Sequence, residues 1–258
     1  AYMPMPVLYN PRGYMVLVEG THHTILDLCK SDSERWRIEQ WRNELSLVLV
    51  SGADPLQMLE RMSAVTGRSQ MPAPWVFGPW LDAVKGPDKV RAVAKAARDN
   101  DIPASAIWTE DWAGGIESIG GYHLTYQWSV DQTLYPDFKG LASELHDQGF
   151  RFLGYFNPFI IEGTPEWDEC HKQKLLVHDQ EGKVLSFLGP PRLEKTALLD
   201  FSNPATQTWV KAKMQKAVDL GLDGWMADFA EWLPWEAKLH DGRSGDEAHN
   251  DYPRLWQK

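Results

Sequence analysis

Short apolar runs separated by turn signals open the chain. Gly13-Tyr14-Met15-Val16-Leu17-Val18-Glu19-Gly20 reads as a strand ending in a turn, and Trp36-Arg37-Ile38-Glu39-Gln40-Trp41 and Leu45-Ser46-Leu47-Val48-Leu49-Val50 alternate or run apolar as strands do. No helical period is visible over residues 1–50, so this stretch predicts a β-sandwich or part of one. Asp54-Pro55 then begins a helix carried by Leu56, Leu59 and Met62 and ending near Gly67, and Pro72 and Pro74 break the chain. The boundary falls at about residue 70.

From there strands and helices alternate. Trp75-Val76-Phe77-Gly78 predicts a first strand, followed by a helix with Val90, Val93, Ala94 and Ala97 on one face. Ser105-Ala106-Ile107-Trp108 predicts a second strand that ends in Glu110-Asp111-Trp112. A helix with Leu141, Ala142 and Leu145, stopped by Gly149, leads to the strand Phe152-Leu153-Gly154-Tyr155-Phe156 and then Asn157-Pro158. Ala197-Leu198-Leu199-Asp200 predicts a short strand before a helix capped by Asn203-Pro204. A final strand holds Asp228 within Gly224-Trp225-Met226-Ala227-Asp228. Such alternation predicts an α/β fold with a parallel sheet. A closed (β/α)8 barrel uses about 250 residues, and only about four units are visible here. The reading is therefore residues 1–70 as the end of a β-sandwich with a linking helix, and residues 71–258 as the first half of a (β/α)8 barrel.

Composition narrows the function classes. The 258 residues are 43% hydrophobic, enough for a real core, and the net charge of −10 disfavours nucleic acid and anionic membrane as partners. Neither expectation touches sugars. Thirteen tryptophans suit the C–H faces of pyranose rings, although any one Trp is more often core. Cys29 and Cys170 match no metal spacing, and the eight His form no ligand cluster, so neither a metal nor another cofactor is expected. No run approaches the roughly 18 apolar residues of a membrane span, and no signal peptide is evident. The first residues lack an initiator Met and read as a cut edge. The cytoplasm is favoured over the periplasm, and homo-oligomerisation stays open. Absence of a phosphate loop, a GxSxG elbow or CxxC removes nucleotide, serine-hydrolase and structural-zinc readings.

Carboxylates recur where strands end: Glu110, Asp111, Asp200, Asp228 and Glu231. Capping and solvation explain most such residues. They explain Asp228 least well, because an Asp inside Trp225-Met226-Ala227-x-Phe229 is expected to be largely desolvated, and sites that tolerate that cost are often functional.

These residues carry a resemblance. Trp225-Met226-Ala227-Asp228-Phe229-Ala230-Glu231 resembles the nucleophile motif of glycoside hydrolase family 31, a family of retaining α-glycosidases. Ile107-Trp108-Thr109-Glu110-Asp111-Trp112 resembles its second-strand segment, Thr66-Gly67-Arg68 with Met71-Pro72-Ala73-Pro74-Trp75 resembles the entry into its barrel, and Leu199-Asp200-Phe201-Ser202-Asn203-Pro204 also fits. Within the family the likeness is greatest to the sulfoquinovosidase branch. Lys85 and Glu110 fit two positions by which that branch marks its substrate. His123 and Tyr126 fall where its sulfonate-binding Arg and its Trp stand. Arg is a permanently charged fork of donors, whereas His near neutral pH is at most partly charged. A neutral α-glucoside or α-galactoside therefore fits at least as well as a sulfonated sugar.

The resemblance implies Asp228 as nucleophile, Glu231 as a supporting residue, and Lys85, Glu110, Asp111, Trp112, His123, Tyr126 and Trp225 around the sugar. It implies double displacement through a glycosyl–enzyme intermediate. The family's acid/base follows the nucleophile on a later strand, and nothing after Asp228 resembles it, so the chain is read as a fragment, inactive or poorly folded alone. Alternatives are a transglycosylase or lyase of the same family, or a carbohydrate-binding protein with an incomplete site.

Overall fold

The structure, a computed structural model, describes residues 5–190 and 194–258. Residues 1–4, read above as a cut edge, lie outside the described residues. The chain divides into two compact units, Ala1–Pro72 with Asp246–Asp251, and Ala73–Gly245 with Tyr252–Lys258.

The first unit holds β1 (Val7–Asn10), β2 (Tyr14–Val18), β3 (Thr24–Leu28), β4 (Trp36–Gln40), β5 (Leu47–Ser51) and helix α1 (Pro55–Thr66). An antiparallel sheet runs in the order β1-β2-β5, and β3 and β4 pair as a separate hairpin. Asp54 caps α1 by accepting the Gln57 N–H at 2.9 Å, with Pro55 in the first turn where its missing N–H costs nothing. The buried face of α1 is not the one expected. Met58 and Met62, one turn apart, pack with Met15 and Val50, while Leu56 and Leu59 are exposed. The apolar rhythm holds two overlapping stripes, and the sheet covers only the methionine stripe.

The second unit is built on a parallel sheet of β6 (Trp80–Asp82), β7 (Ala106–Trp108), β10 (Arg151–Phe156) and β14 (Gly224–Ala227), which lie side by side in chain order. Helices α2 (Pro87–Asp99) and α3 (Phe138–Asp147) bury Val90, Ala94 and Ala97, and Leu141, Ala142 and Leu145. β10 is buried from Phe152 to Phe156, as a strand in a parallel sheet covered on both faces must be. Gly221, at φ +106°, lets the turn before β14 close on α3, since a Cβ there would lie 2.7 Å from that of Ala142.

Two expectations are corrected. Trp75–Phe77 is not a strand but part of a 3-10 turn, Pro74–Phe77, and the first parallel strand is Trp80–Asp82. Pro74 presets the φ of a helical first turn, which a strand reading overlooks. The strand expected at Ala197–Asp200 does not join the parallel sheet. After β10 the chain turns through Asn157-Pro158 into β11 (Phe159–Ile161), and β12 (Phe187–Gly189) and β13 (Glu194–Leu198) complete an antiparallel sheet in the order β11-β13-β12. This excursion also holds helix α4 (Pro165–Lys172), and helix α5 (Pro204–Asp219) returns to β14. A hairpin of β8 (Gly115–Ser118) and β9 (Gly121–Leu124) follows β7, and short helices α6 (Gly245–Ala248) and α7 (Tyr252–Gln257) come last. Among the described residues no helix is long and apolar enough to cross a membrane.

Asp223 ties the start of β14 to its neighbours. It accepts from the Phe152 N–H (2.9 Å), from Arg151 Nη1 (2.9 Å) and from His146 Nε2 (2.7 Å). Burial alone would raise its pKa, but these donors outweigh that and hold it below the usual carboxylate value. A carboxyl depressed in the folded state stabilises above its unfolded pKa, and that stability is lost as pH falls through the folded value. Asp223→Asn is therefore expected to cost about 1–2 kcal/mol in urea unfolding at pH 7 and progressively less below about pH 4. A cost that stays level from pH 7 to pH 3 would contradict this.

Candidate active site

The C-terminal ends of the parallel strands carry the chemistry-bearing side chains, as in other parallel α/β folds. Asp228 follows β14 directly, its N–H donating to the Phe156 carbonyl at 2.9 Å. Tyr155 pairs with Met226 in the register of β10 and β14, so alternation puts Tyr155 and Asp228 on one face. The Tyr155 hydroxyl donates to Asp228 Oδ2 at 2.6 Å. From α7, Trp256 Nε1 donates to the Asp228 carbonyl and Gln257 Nε2 to that of Ala227, both at 3.2 Å. Asp228 is half-buried in this structure rather than largely desolvated as expected, its carboxyl standing beyond the end of β14.

The fully desolvated carboxylate is Asp111, with no exposed surface. Oδ1 accepts from Thr109 Oγ1 (2.6 Å) and from the Tyr135 hydroxyl (2.5 Å), and Oδ2 accepts from the Lys85 N–H (2.7 Å) and the Tyr122 hydroxyl. Four donors fill the four acceptor positions of a carboxylate. Asp111 thus has no open position for a sugar hydroxyl, which corrects its expected role. It acts instead as the hub joining the loop after β6, the 3-10 turn Glu110–Ala113, the hairpin and the segment before α3. Trp112 is corrected likewise. It is buried, its indole N–H donates to the Tyr155 carbonyl at 2.8 Å, and its ring lies against Phe138 and Phe156, so it cannot wall a sugar.

Glu110 does face open space. It lines a small recess, open to solvent, together with Ala113, Tyr126, Gln127, Trp128, Tyr155, Phe156 and Asn157. Burial, then the charges of Asp82, Asp228 and Asp111, push its pKa up to about 6. Glu110 is therefore neutral below that pH and anionic above it. Tyr126 stacks on Tyr155 with centroids 6.1 Å apart and on Phe159 at 6.2 Å, and burial pushes its hydroxyl up to about 12.

The remaining expected residues scatter. Lys85 Nζ meets Glu117 at 2.6 Å and lies 5.2 Å from the Tyr122 ring centroid. His123 pairs with Ile116 in the hairpin, so strand alternation turns it to the face opposite Tyr122, away from Asp111. Trp225 is half-buried with its ring edge-on to Phe156 (5.6 Å), and Glu231 is half-buried in the turn after Asp228. Lys85, Tyr126, Phe229 and Ala230 all adopt positive φ, a strain that persists only where surroundings enforce it and that concentrates at functional sites. Among the described residues no three His, Cys, Asp or Glu side chains converge as metal ligands.

Tyr155, Tyr122 and Tyr135 were absent from the candidates drawn from sequence. Their signal was weak: Tyr155 lies in an apolar run that reads as core, and Tyr122 and Tyr135 lie in loop-like sequence with no motif to mark them. Only the strand register brings Tyr155 to Asp228.

Residues 69–258 match the family described as "Glycosyl hydrolases family 31 TIM-barrel domain". The chain is 30% identical over 98% of its length to a sulfoquinovosidase of Agrobacterium fabrum, of which it spans 38%. It is 26% identical over 98% of its length to the alpha-xylosidase XylQ of Lactiplantibacillus pentosus, spanning 33% of that protein. Among solved structures, a family 31 sulfoquinovosidase from E. rectale, in complex with an aza-sugar inhibitor, superposes on all of this chain and 38% of its own with a TM-score of 0.86 and 26% identity.

Proposed function

This chain belongs to glycosyl hydrolase family 31, and from that premise we propose that it carries the nucleophile of a retaining α-glycosidase, Asp228. The reading includes a division into the end of a β-sandwich over residues 1–70 and the first half of a (β/α)8 barrel over residues 71–258. The observation that carries it is the placement of Asp228 at a parallel-strand end, with Tyr155 on one carboxylate oxygen and a recess lined by Glu110 and Tyr126 nearby. A carboxylate fixed in that position suits attack on an anomeric carbon. Glu231 supports the turn that follows it, while Glu110, Tyr126, Trp225 and Lys85 are the side chains left to meet the sugar. The relatives include enzymes for charged and for neutral sugars. The Lys85 ammonium is already paired with Glu117 and the recess lining adds the carboxyl of Glu110, which supports an uncharged α-glycoside over a sulfonated one.

A fluorinated α-glycosyl fluoride that forms a slowly hydrolysed intermediate tests the reading. Incubated with the full-length gene product, it is expected to add one glycosyl mass to the peptide containing Asp228. Labelling elsewhere, or saturable binding with no label and no turnover, would sink the proposal. Comparing fluorides of glucose, xylose and sulfoquinovose separates neutral from sulfonated preference.

A further inference from the structure

The geometry points to Tyr155 as a positioning residue that holds one oxygen of Asp228 and leaves the other to attack, an inference that rests on Asp228 being the nucleophile. The hydroxyl donates to Oδ2 at 2.6 Å, and among the described residues no donor meets Oδ1. A carboxylate side chain can rotate about its last bond, so a single short hydrogen bond decides which oxygen is free. Tyr155 is itself clamped. Its carbonyl accepts the Trp112 indole N–H, its ring stacks on Tyr126, and it is 6% exposed. Gly154 makes the clamp sterically feasible, since a Cβ there would sit 3.1 Å from Trp112 Nε1. Burial, reinforced by Tyr126, pushes the Tyr155 hydroxyl far above its ordinary value, so it remains a proton donor throughout the working pH range.

The consequence is chemical. In the first step Asp228 Oδ1 forms a bond to the anomeric carbon while the bond to the leaving group breaks and that group takes the electron pair. The bond from Tyr155 stabilises the carboxylate before this step and again when water displaces it. It also links the loop carrying Tyr126 to the nucleophile through the ring stack. The titratable groups facing Asp228 are Glu110, Tyr126 and Tyr155, with Asp82 and Asp111 acting on Glu110 behind them.

The test uses the full-length protein and a glycosyl fluoride, whose leaving group needs little protonation, so the rate reports the nucleophile. Tyr155→Phe keeps the ring and its stack. It is expected to slow covalent labelling of Asp228 roughly 10- to 100-fold. It should also move the acidic limb of the labelling rate to higher pH, because a carboxylate that loses a donor binds its proton more tightly. A 3-fluorotyrosine at position 155, a stronger donor of nearly the same shape, should move that limb to lower pH, and it serves if the Phe variant fails to fold. Glu110→Gln run in parallel removes the carboxyl whose pKa burial and neighbouring charges raise to about 6. Opposite movements of the limb in the Phe and fluorotyrosine proteins, retained in the Glu110→Gln background, support the inference. An unchanged limb in a wild type that labels at Asp228 overturns it and leaves the nucleophile assignment standing. Failure of the wild type to label at Asp228 overturns both.

Discussion

Asp228→Asn in the full-length gene product is expected to lower kcat on an aryl α-glycoside by on the order of 10⁴-fold or more, with the thermal midpoint nearly unchanged. The amide has the shape of the carboxylate, and its oxygen can still accept from Tyr155, so the contacts at the end of β14 survive. What is lost is the charge. An amide does not form the acylal bond to an anomeric carbon, and it does not stabilise the positive character that develops there. Two further readouts keep loss of chemistry apart from loss of fold. A competitive sugar-mimic inhibitor should still bind the variant within a few-fold of wild type. Asp228→Gly, given sodium azide, should regain turnover, because azide enters from the face the carboxylate has vacated and yields a β-glycosyl azide from an α-glycoside. Activity within about tenfold of wild type in Asp228→Asn would remove Asp228 from the mechanism.

What the sequence made legible was local. The stripe Val90, Ala94, Ala97 declares α2 because its contacts recur every turn, and Asp54-Pro55 and Asn203-Pro204 announce their helices through capping geometry. The mixed α/β architecture follows from such signals. Features that depend on pairing distant segments were not legible. Phe159–Ile161 and Thr196–Leu198 meet antiparallel across a long loop, and nothing near either segment states that they leave the parallel sheet. β6 has only three residues, follows directly on Pro79, and was hidden by the more apolar Trp75-Val76-Phe77.

The candidate site shows the same division. Asp228 stood out because its neighbours in sequence are apolar. Asp111 stood out less, although it is the more buried of the two, because its four donors come from Lys85, Thr109, Tyr122 and Tyr135. Sequence spacing cannot show that a carboxylate is already fully bonded. Nor can it distinguish a Trp that stacks on sugar from one that donates to a strand carbonyl, as Trp112 does. The opposite facing of Tyr122 and His123 was implicit in strand alternation, but it becomes usable only once the pairing of Ile116 with His123 is known.

The bonding of Asp111 sets the largest expected effect on stability. Asp111→Ala should destabilise the protein by about 3–5 kcal/mol, measured as the shift in urea unfolding at constant m-value. The argument is the asymmetry between a bond made and a bond orphaned. Deleting the carboxylate strands three hydroxyls and one backbone N–H in a space where Thr109 and Asp111 have no exposed surface and Tyr135 has 1%. Water must enter, or the donors must find other acceptors, and the methyl of Ala offers none. Asp111→Asn should cost less, about 1–3 kcal/mol, because the amide oxygen still serves two donors and hydroxyls can rotate to accept from its N–H₂. Tyr122→Phe removes one donor from a half-exposed ring and should cost least. The order Ala, then Asn, then the Tyr122 variant separates a structural hub from a sugar contact. A sugar contact would lose affinity in all three with stability intact, and an Asp111→Ala protein within 1 kcal/mol of wild type would sink the hub reading. Because Asp111 also holds the Lys85 N–H in a left-handed backbone, the destabilised variants should lose order first in the loop after β6 and in the β8–β9 hairpin. Hydrogen exchange would detect that as faster exchange of the Lys85 amide than of those in β10.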